Sequence, residues 1–217
     1  MRSFSTTARV SGVAAATVGL LATGLFGVNA AAAEEQPIDP DRAPEIMETP
    51  WPEYEVGDVH GNIELVSTYL TLETDENGEP FWDEHPTRVF TEDLADAVED
   101  YQAHVGLDEQ RRIGEPEWDH FSDGQFAEDA FDWGPAPGNN FYGPGDSGEG
   151  VRTVQFLLVE RGYLDPGQVD EHYGSETEAA VEEFQADKVC PQLSITEQEC
   201  VDGLTGEVTY RALVSVE

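Results

Sequence analysis

Positive charge is nearly absent from this chain. Its 217 residues hold 10 lysines and arginines against 46 aspartates and glutamates, a formal net charge of −36. Lys188 is the only lysine in the sequence. Such a surface repels phosphates instead of neutralising them, which excludes ordinary nucleic-acid binding and adhesion to anionic lipid. The acids are spread along the chain and form no tail, so they read as a solubilising surface and not as a site. Catalytic signatures are missing too. No G-x-S-x-G elbow occurs, and none of His60, His85, His104, His120 and His172 falls in the H-x-H or H-E-x-x-H spacing of a zinc site. With so many acids, paired carboxylates carry no information about glycosidase chemistry. The expectation is a protein that is not an enzyme and needs neither metal nor cofactor.

Cysteine is also scarce: only Cys190 and Cys200 occur. Long apolar runs are confined to the start of the chain. Arg2 and Arg9 precede an uncharged stretch from Val10 to Ala33, which ends in Ala31-Ala32-Ala33. That is the pattern of a secretory signal peptide over residues 1–33 with a small-residue cleavage site. A retained membrane anchor is the competing reading, because the run is long enough to span a bilayer. The larger apolar side chains, however, cluster from Leu20 to Phe26 among weakly apolar Ala and Gly, which favours cleavage. No membrane association is expected after that cut. In an exported chain two neighbouring cysteines default to a disulfide, Cys190–Cys200.

Residues 34–54 are acidic and contain Pro37, Pro40, Pro44, Pro50 and Pro52, the composition of an extended spacer. Residues 122–140 contain Gly134-Pro135-Ala136-Pro137-Gly138 and Asn139-Asn140, which read as a Gly/Pro-rich linker. Between and after these lie two segments, 55–121 and 141–217, and they align with each other. Gly57-Asp58, Ile63, Val66 and Leu70 match Gly145-Asp146, Val151, Val154 and Leu158 at one constant offset. Ala97-Val98-x-x-Tyr101-Gln102 matches Ala180-Val181-x-x-Phe184-Gln185 at a second, and Gly114, Trp118 and Phe121 match Gly206, Tyr210 and Leu213 at a third. Offsets that change only between blocks indicate a duplication with loop insertions.

Each block has helical spacing. Val151, Val154 and Leu158 share one face, with Gly162 placed to end the helix. Thr177, Ala180-Val181 and Phe184 form a second stripe, for which Ser175 is the expected N-cap with Glu178 as its capping-box partner. A third short helix follows Gly206 and buries Tyr210 and Leu213. Helices this short must pack on one another to stay ordered. The fold class expected is all-α, with two small three-helix domains joined by the linker.

The second segment resembles the peptidoglycan-binding domain found beside many bacterial wall hydrolases. The resemblance rests on Gly145-Asp146, Val151-x-x-Val154-Gln155-x-x-Leu158 and Gly162-Tyr163-Leu164. It continues through Asp170-x-x-Tyr173-Gly174-x-x-Thr177-x-x-Ala180-Val181-x-x-Phe184-Gln185 and closes with Asp202-Gly203-x-x-Gly206-x-x-Thr209-x-x-x-Leu213. Segment 55–121 looks like a degraded copy: Gln110-Arg111 replaces the Asp-Gly turn, Glu117 stands for Thr209, and Ser67 stands for Gln155. The second copy departs at Glu171, where the family has Gly, and through an insertion from Pro191 to Glu199. The resemblance implies a secreted or wall-associated protein that binds peptidoglycan or another wall glycan without cleaving it. Asp146, Gln155, Tyr163, Tyr173 and Asp202 are the candidate ligand contacts. The alternative is the same scaffold serving as a secreted interaction module that inhibits or targets a wall hydrolase or protease.

The first residues generate a direct test. Protein recovered from culture medium or wall should begin at Glu34, and intact mass or N-terminal sequencing reads this. Met1 retained on a membrane-bound species would refute it.

Overall fold

The computed structural model describes residues 36–126, 131–136 and 138–216; the expected signal peptide lies outside them. The helices are α1 (Pro44–Met47), α2 (Gly61–Leu72), α3 (Glu92–Val105), α4 (Glu115–Phe126), α5 (Glu149–Glu160), α6 (Ser175–Phe184), α7 (Glu197–Cys200) and α8 (Glu207–Ser215). Among the described residues extended pairing is limited to isolated bridges. The all-α reading holds. No described helix is long and apolar enough to cross a membrane.

Local chemistry sets the helix ends. Thr91 caps α3 by accepting from the backbone N–H of Leu94 (3.1 Å), with Glu92 and Asp93 in the favourable first turn. Gly162 follows α5 in the left-handed region (φ 81°), as its position implied. The N-cap of α6 differs from expectation. Gly174 occupies that position, and Ser175 is the first helical residue, its hydroxyl donating to Glu176 at 3.0 Å. A carboxylate one residue away captures the hydroxyl that would otherwise reach back to the helix. Beyond Phe184 the helix widens into a π-turn over Gln185–Val189 and reaches Cys190, which is disulfide-bonded to Cys200 (Cα atoms 5.7 Å apart).

The two aligned segments repeat each other in space. The bridge Tyr54–Ile113 recurs as Tyr142–Thr205, and Val59–Val89 recurs as Ser147–His172, at the offsets of the sequence alignment. Equivalent helices then meet each other: α2 packs on α5, and α4 packs on α8. At the centre the hydroxyls of Tyr69 (α2) and Tyr210 (α8) lie 2.6 Å apart, both side chains fully buried. Asn62 donates to the carbonyl of Val214 (3.1 Å), and the Arg161 guanidinium donates to the carbonyls of Leu213 and Val214 (both 2.9 Å).

Two expectations about organisation are corrected. The segments do not stand apart as two domains on a linker; residues 35–217 form one compact unit with one continuous hydrophobic core. Residues 36–54 are no free spacer either. Ile38, Ala43, Ile46, Trp51 and Tyr54 are buried, and α1 packs on α8. Trp51 stacks on Trp118 (centroids 5.8 Å apart), donates to Asp119 (2.6 Å) and lies 3.7 Å beneath the Arg211 guanidinium. The prolines here start short helices at Pro40 and Pro44, a position where the missing N–H costs nothing. The expected linker 122–140 begins inside α4. Within it Phe131 stacks on Trp133 (4.8 Å), and Trp133 stacks on Tyr69 (5.1 Å) while donating to Glu73 (2.7 Å). Stacking and partial burial of the Phe131 and Trp133 rings against α2 hold the segment in place despite its turn-formers.

Among the described residues two non-glycines are held at positive φ, Arg111 (53°) and Glu171 (65°), at turns where Gly203 (φ 68°) occupies the third equivalent. A left-handed L-residue costs about 1–2 kcal/mol, partly offset by the entropy that glycine loses on folding. Glu171→Gly should therefore stabilise the protein by about 1 kcal/mol in urea unfolding. Glu171→Ala, which keeps the strain, should not. Equal midpoints for all three proteins would refute the strain.

Candidate functional site

Three buried glutamine side chains organise the turns around the predicted site. Gln155 on α5 donates from Nε2 to Asp170 Oδ1 (2.9 Å), the His172 carbonyl (2.9 Å) and Thr177 Oγ1 (3.0 Å); its Oε1 accepts from the backbone of Asp170 and Glu171 (both 3.0 Å). Gln185 repeats the pattern one turn unit later. It donates to Asp202 (2.7 Å), the Leu204 carbonyl (3.0 Å) and Thr209 (3.1 Å), and it accepts from the backbone of Asp202 and Gly203 (both 3.0 Å). Gln102 does the same in the first half, donating to the Arg112 carbonyl (2.9 Å) and Glu117 (2.8 Å) and accepting from Gln110 N–H (2.8 Å). Where Gln155 has its counterpart, Ser67 Oγ accepts from the Thr87 N–H (3.0 Å) and donates to the carbonyls of Glu64 (3.0 Å) and, more weakly, Thr87 (3.4 Å). Each amide satisfies a turn's buried polar groups and ties them to the following helix.

The five candidate contacts therefore divide. Gln155 is fully buried and spends its amide on the turn. Tyr173 is buried too, and its hydroxyl donates to the Gly203 carbonyl at 2.7 Å. Asp202 is half-buried, with Oδ1 accepting from Gln185 and from the Leu204 N–H (2.8 Å). Burial pushes its carboxyl above the usual range, and the bond from Gln185 opposes that. Tyr163 is half-exposed, packs edge-on against Phe184 (5.3 Å) and donates to Asp187 (2.6 Å). Burial and the Asp187 carboxylate raise its hydroxyl to about 12. Asp146 accepts from the Gly143 N–H through Oδ2 (2.9 Å), and its backbone carbonyl pairs with Tyr173 (2.9 Å). Among the described residues no group of three His, Cys, Asp or Glu is placed to hold a metal.

Asp146 alone of the five borders a cleft of about 920 Å³ between residues 131–136 and 138–142 on one side and the turn at Gly145–Ser147 on the other. Its rim carries Asp132, Asn139, Asn140, Asp146 and Ser147, with Phe131 along one side. Sequence reasoning missed Asp132, Asn139 and Asn140 because it placed them in a linker. The Asn-Asn pair beside a Pro/Gly run is the only hint the sequence offers, and a turn explains it equally well.

The carboxyl shifts set a pH dependence. Burial raises Asp202, Glu64 and Glu207, so the folded state holds those protons more tightly and loses stability as pH rises through their folded pKa values. Hydrogen bonds lower Asp75, Asp170 and Glu199, whose contribution is lost as pH falls below about 4. His120, lowered by burial, works against the first group below its ordinary value. The raised carboxyls favour a higher thermal midpoint at about pH 5 than at pH 7.5, His120 favours the reverse, and the lowered carboxyls bring the midpoint down in stronger acid. Asp202→Asn should flatten the slope between those two values. An unchanged slope would remove Asp202 from the account.

The comparisons with known proteins point to this half of the molecule. Neither the comparison with curated proteins nor that with solved structures yields a match. Residues 147–191, from the cleft-side turn through α5 and α6 to the disulfide, match the family described as Putative peptidoglycan binding domain.

Proposed function

We propose that this chain is an exported, non-catalytic protein that binds cell-wall peptidoglycan through its second half. The observation that carries this reading is the family match over 147–191. The disulfide supports an oxidising compartment, and the signal-like N-terminus supports export. The absence from the sequence of a recognisable nucleophile, paired acid–base motif or zinc spacing supports a binding role.

The first half is proposed as a diverged copy of the same unit. Its matching bridges, its Gln102-pinned turn and the left-handed Arg111 at the position of Gly203 support common descent. One observation favours a different task for it. Val56 (43% exposed), Val59 (68%) and Val89 (41%) are the large hydrophobic side chains exposed among the described residues, and all lie on one ribbon. The second half has Pro144, Ser147 and His172 at those places. An apolar ribbon where the other copy is mostly polar fits a protein partner, the second reading.

Because the halves share a core, the test uses the full chain. Purified sacculi should retain it, and retention should hold or strengthen as salt rises from 0.1 to 1 M. The Debye length shrinks from about 10 Å to about 3 Å over that range, which removes the repulsion between an acidic protein and an anionic wall. Protein left in the supernatant at every salt concentration would overturn wall binding. A steep fall with salt would mean that opposite charges hold the complex. Loss of binding on adding a chelator would assign it to cation bridging.

A further inference from the structure

The cleft beside the matched segment is built for a particular chemistry. Its outer wall, residues 131–136 and 138–142, is anchored to both halves of the molecule. Trp133 is held by Glu73 and by stacking on Tyr69 of α2, and its carbonyl accepts from the Tyr142 hydroxyl (3.4 Å). Gln125 of α4 donates to that same hydroxyl (3.0 Å). The wall closes only because two helices carry glycine beneath it. A Cβ at Gly124 would enter the Phe131 ring, and one at Gly150 would strike the Tyr142 hydroxyl and come within 2.6 Å of the Trp133 carbonyl. A connection that was merely a tether would not need such close seating.

The groups presented to the cleft are mostly uncommitted. The side chains of Asp132, Asn139, Asn140 and Ser147 are exposed and make no hydrogen bond within the described residues. Asp146 uses one carboxylate oxygen, and Oδ1 has no hydrogen-bond partner among the described residues. Two carboxamides supply donors and acceptors together, two carboxylates and a hydroxyl accept from hydroxyl groups, and no cation is present on the rim. Phosphate or carboxylate ligands are disfavoured by the two aspartates. A ligand rich in hydroxyls that also carries neutral amides satisfies every group, and its apolar face can lie along Phe131. The volume falls in the range of about 300–1,000 Å³ typical of ligand clefts.

We propose that this cleft is a subsite for uncharged N-acetylated sugar units, so that the chain grips the glycan strand and not the peptide stems or anionic polymers of the wall. The proposal rests on the wall-binding reading and deepens it. It also makes the connection between the halves part of the binding surface: Asn139 and Asn140 lie outside the segment that matches the family.

The experiment is calorimetric titration of the oxidised full chain with a soluble N-acetylglucosamine tetramer, beside a sacculus pull-down. The wild type should bind the tetramer with an affinity that is flat from 0.1 to 1 M salt. The double variant Asn139→Ala/Asn140→Ala, which removes only exposed amides, should bind about tenfold more weakly or worse, the loss of about two hydrogen bonds. Its unfolding midpoint should be unchanged. Ser147→Trp, which fills the cleft from an exposed position, should abolish tetramer binding. Wild-type and variant proteins that bind the tetramer equally would overturn the site. A free amine-bearing stem tripeptide that binds in place of the tetramer, and is weakened by the same variants, would overturn the sugar assignment. Sacculi that retain wild type and variants alike, with no tetramer binding, would sink the cleft and leave wall binding standing. Sacculi that retain neither would sink wall binding itself.

Discussion

A single line of hydrogen bonds runs through the interior and fixes how the two halves meet. It passes from Tyr210 on α8 to Tyr69 on α2, from Tyr69 to Gln125 on α4 (3.1 Å), and from Gln125 through the Tyr142 hydroxyl to the Trp133 carbonyl. Every side chain named lies in the core except Trp133, which packs partly buried against it. A buried hydroxyl without a partner costs about 1–3 kcal/mol, so each link holds its neighbours to one geometry. Because the line begins between the halves and ends at the cleft wall, the shape of the cleft is a property of the interface and not of either half.

The scarce cations have been placed with the same economy. Arg88 pairs with Glu160 across the two halves, and Arg42 ties the N-terminal strap, residues 36–54, to Glu199 beside the disulfide. Arg211 donates to the Thr49 carbonyl (2.7 Å) and covers Trp51. Exposed ion pairs contribute little stability individually. Here their value lies in position: each joins segments distant in sequence, where acid facing acid would otherwise push the junction open. Arg111 is different. Its guanidinium gathers Glu92, Asp96 and Glu99, so the first half's left-handed turn carries a charge cluster where the second half has only Gly203.

What could be read from the sequence was whatever is periodic and local. The stripes Ile63, Val66, Leu70 and Val151, Val154, Leu158 are helical and buried, because apolar spacing answers directly to a core. The disulfide followed from two neighbouring cysteines in a chain expected to be exported. The strap and the 131–142 wall were illegible for one shared reason: single aromatic residues, Trp51, Phe131 and Trp133, sit among prolines and glycines and show no period. Their burial is decided by residues far away, chiefly Trp118, Tyr69 and Glu73. Gln155 and Tyr173 are ambiguous in the sequence for the opposite reason. A polar residue recurring in a motif looks like a ligand contact, yet these are the groups that hold the motif's own turns closed.

The merging of two similar units into one core changes what can be inherited. A free-standing repeat can be copied, lost or moved to another gene, because its apolar surface is closed. Here residues 141–217 cut from the chain would leave Tyr210, Tyr142 and Val214 facing water where Tyr69, Gln125 and Asn62 now meet them. The pair has become the smallest portable piece. Selection on either half is therefore selection on both, because the helices of the first are packing for the second.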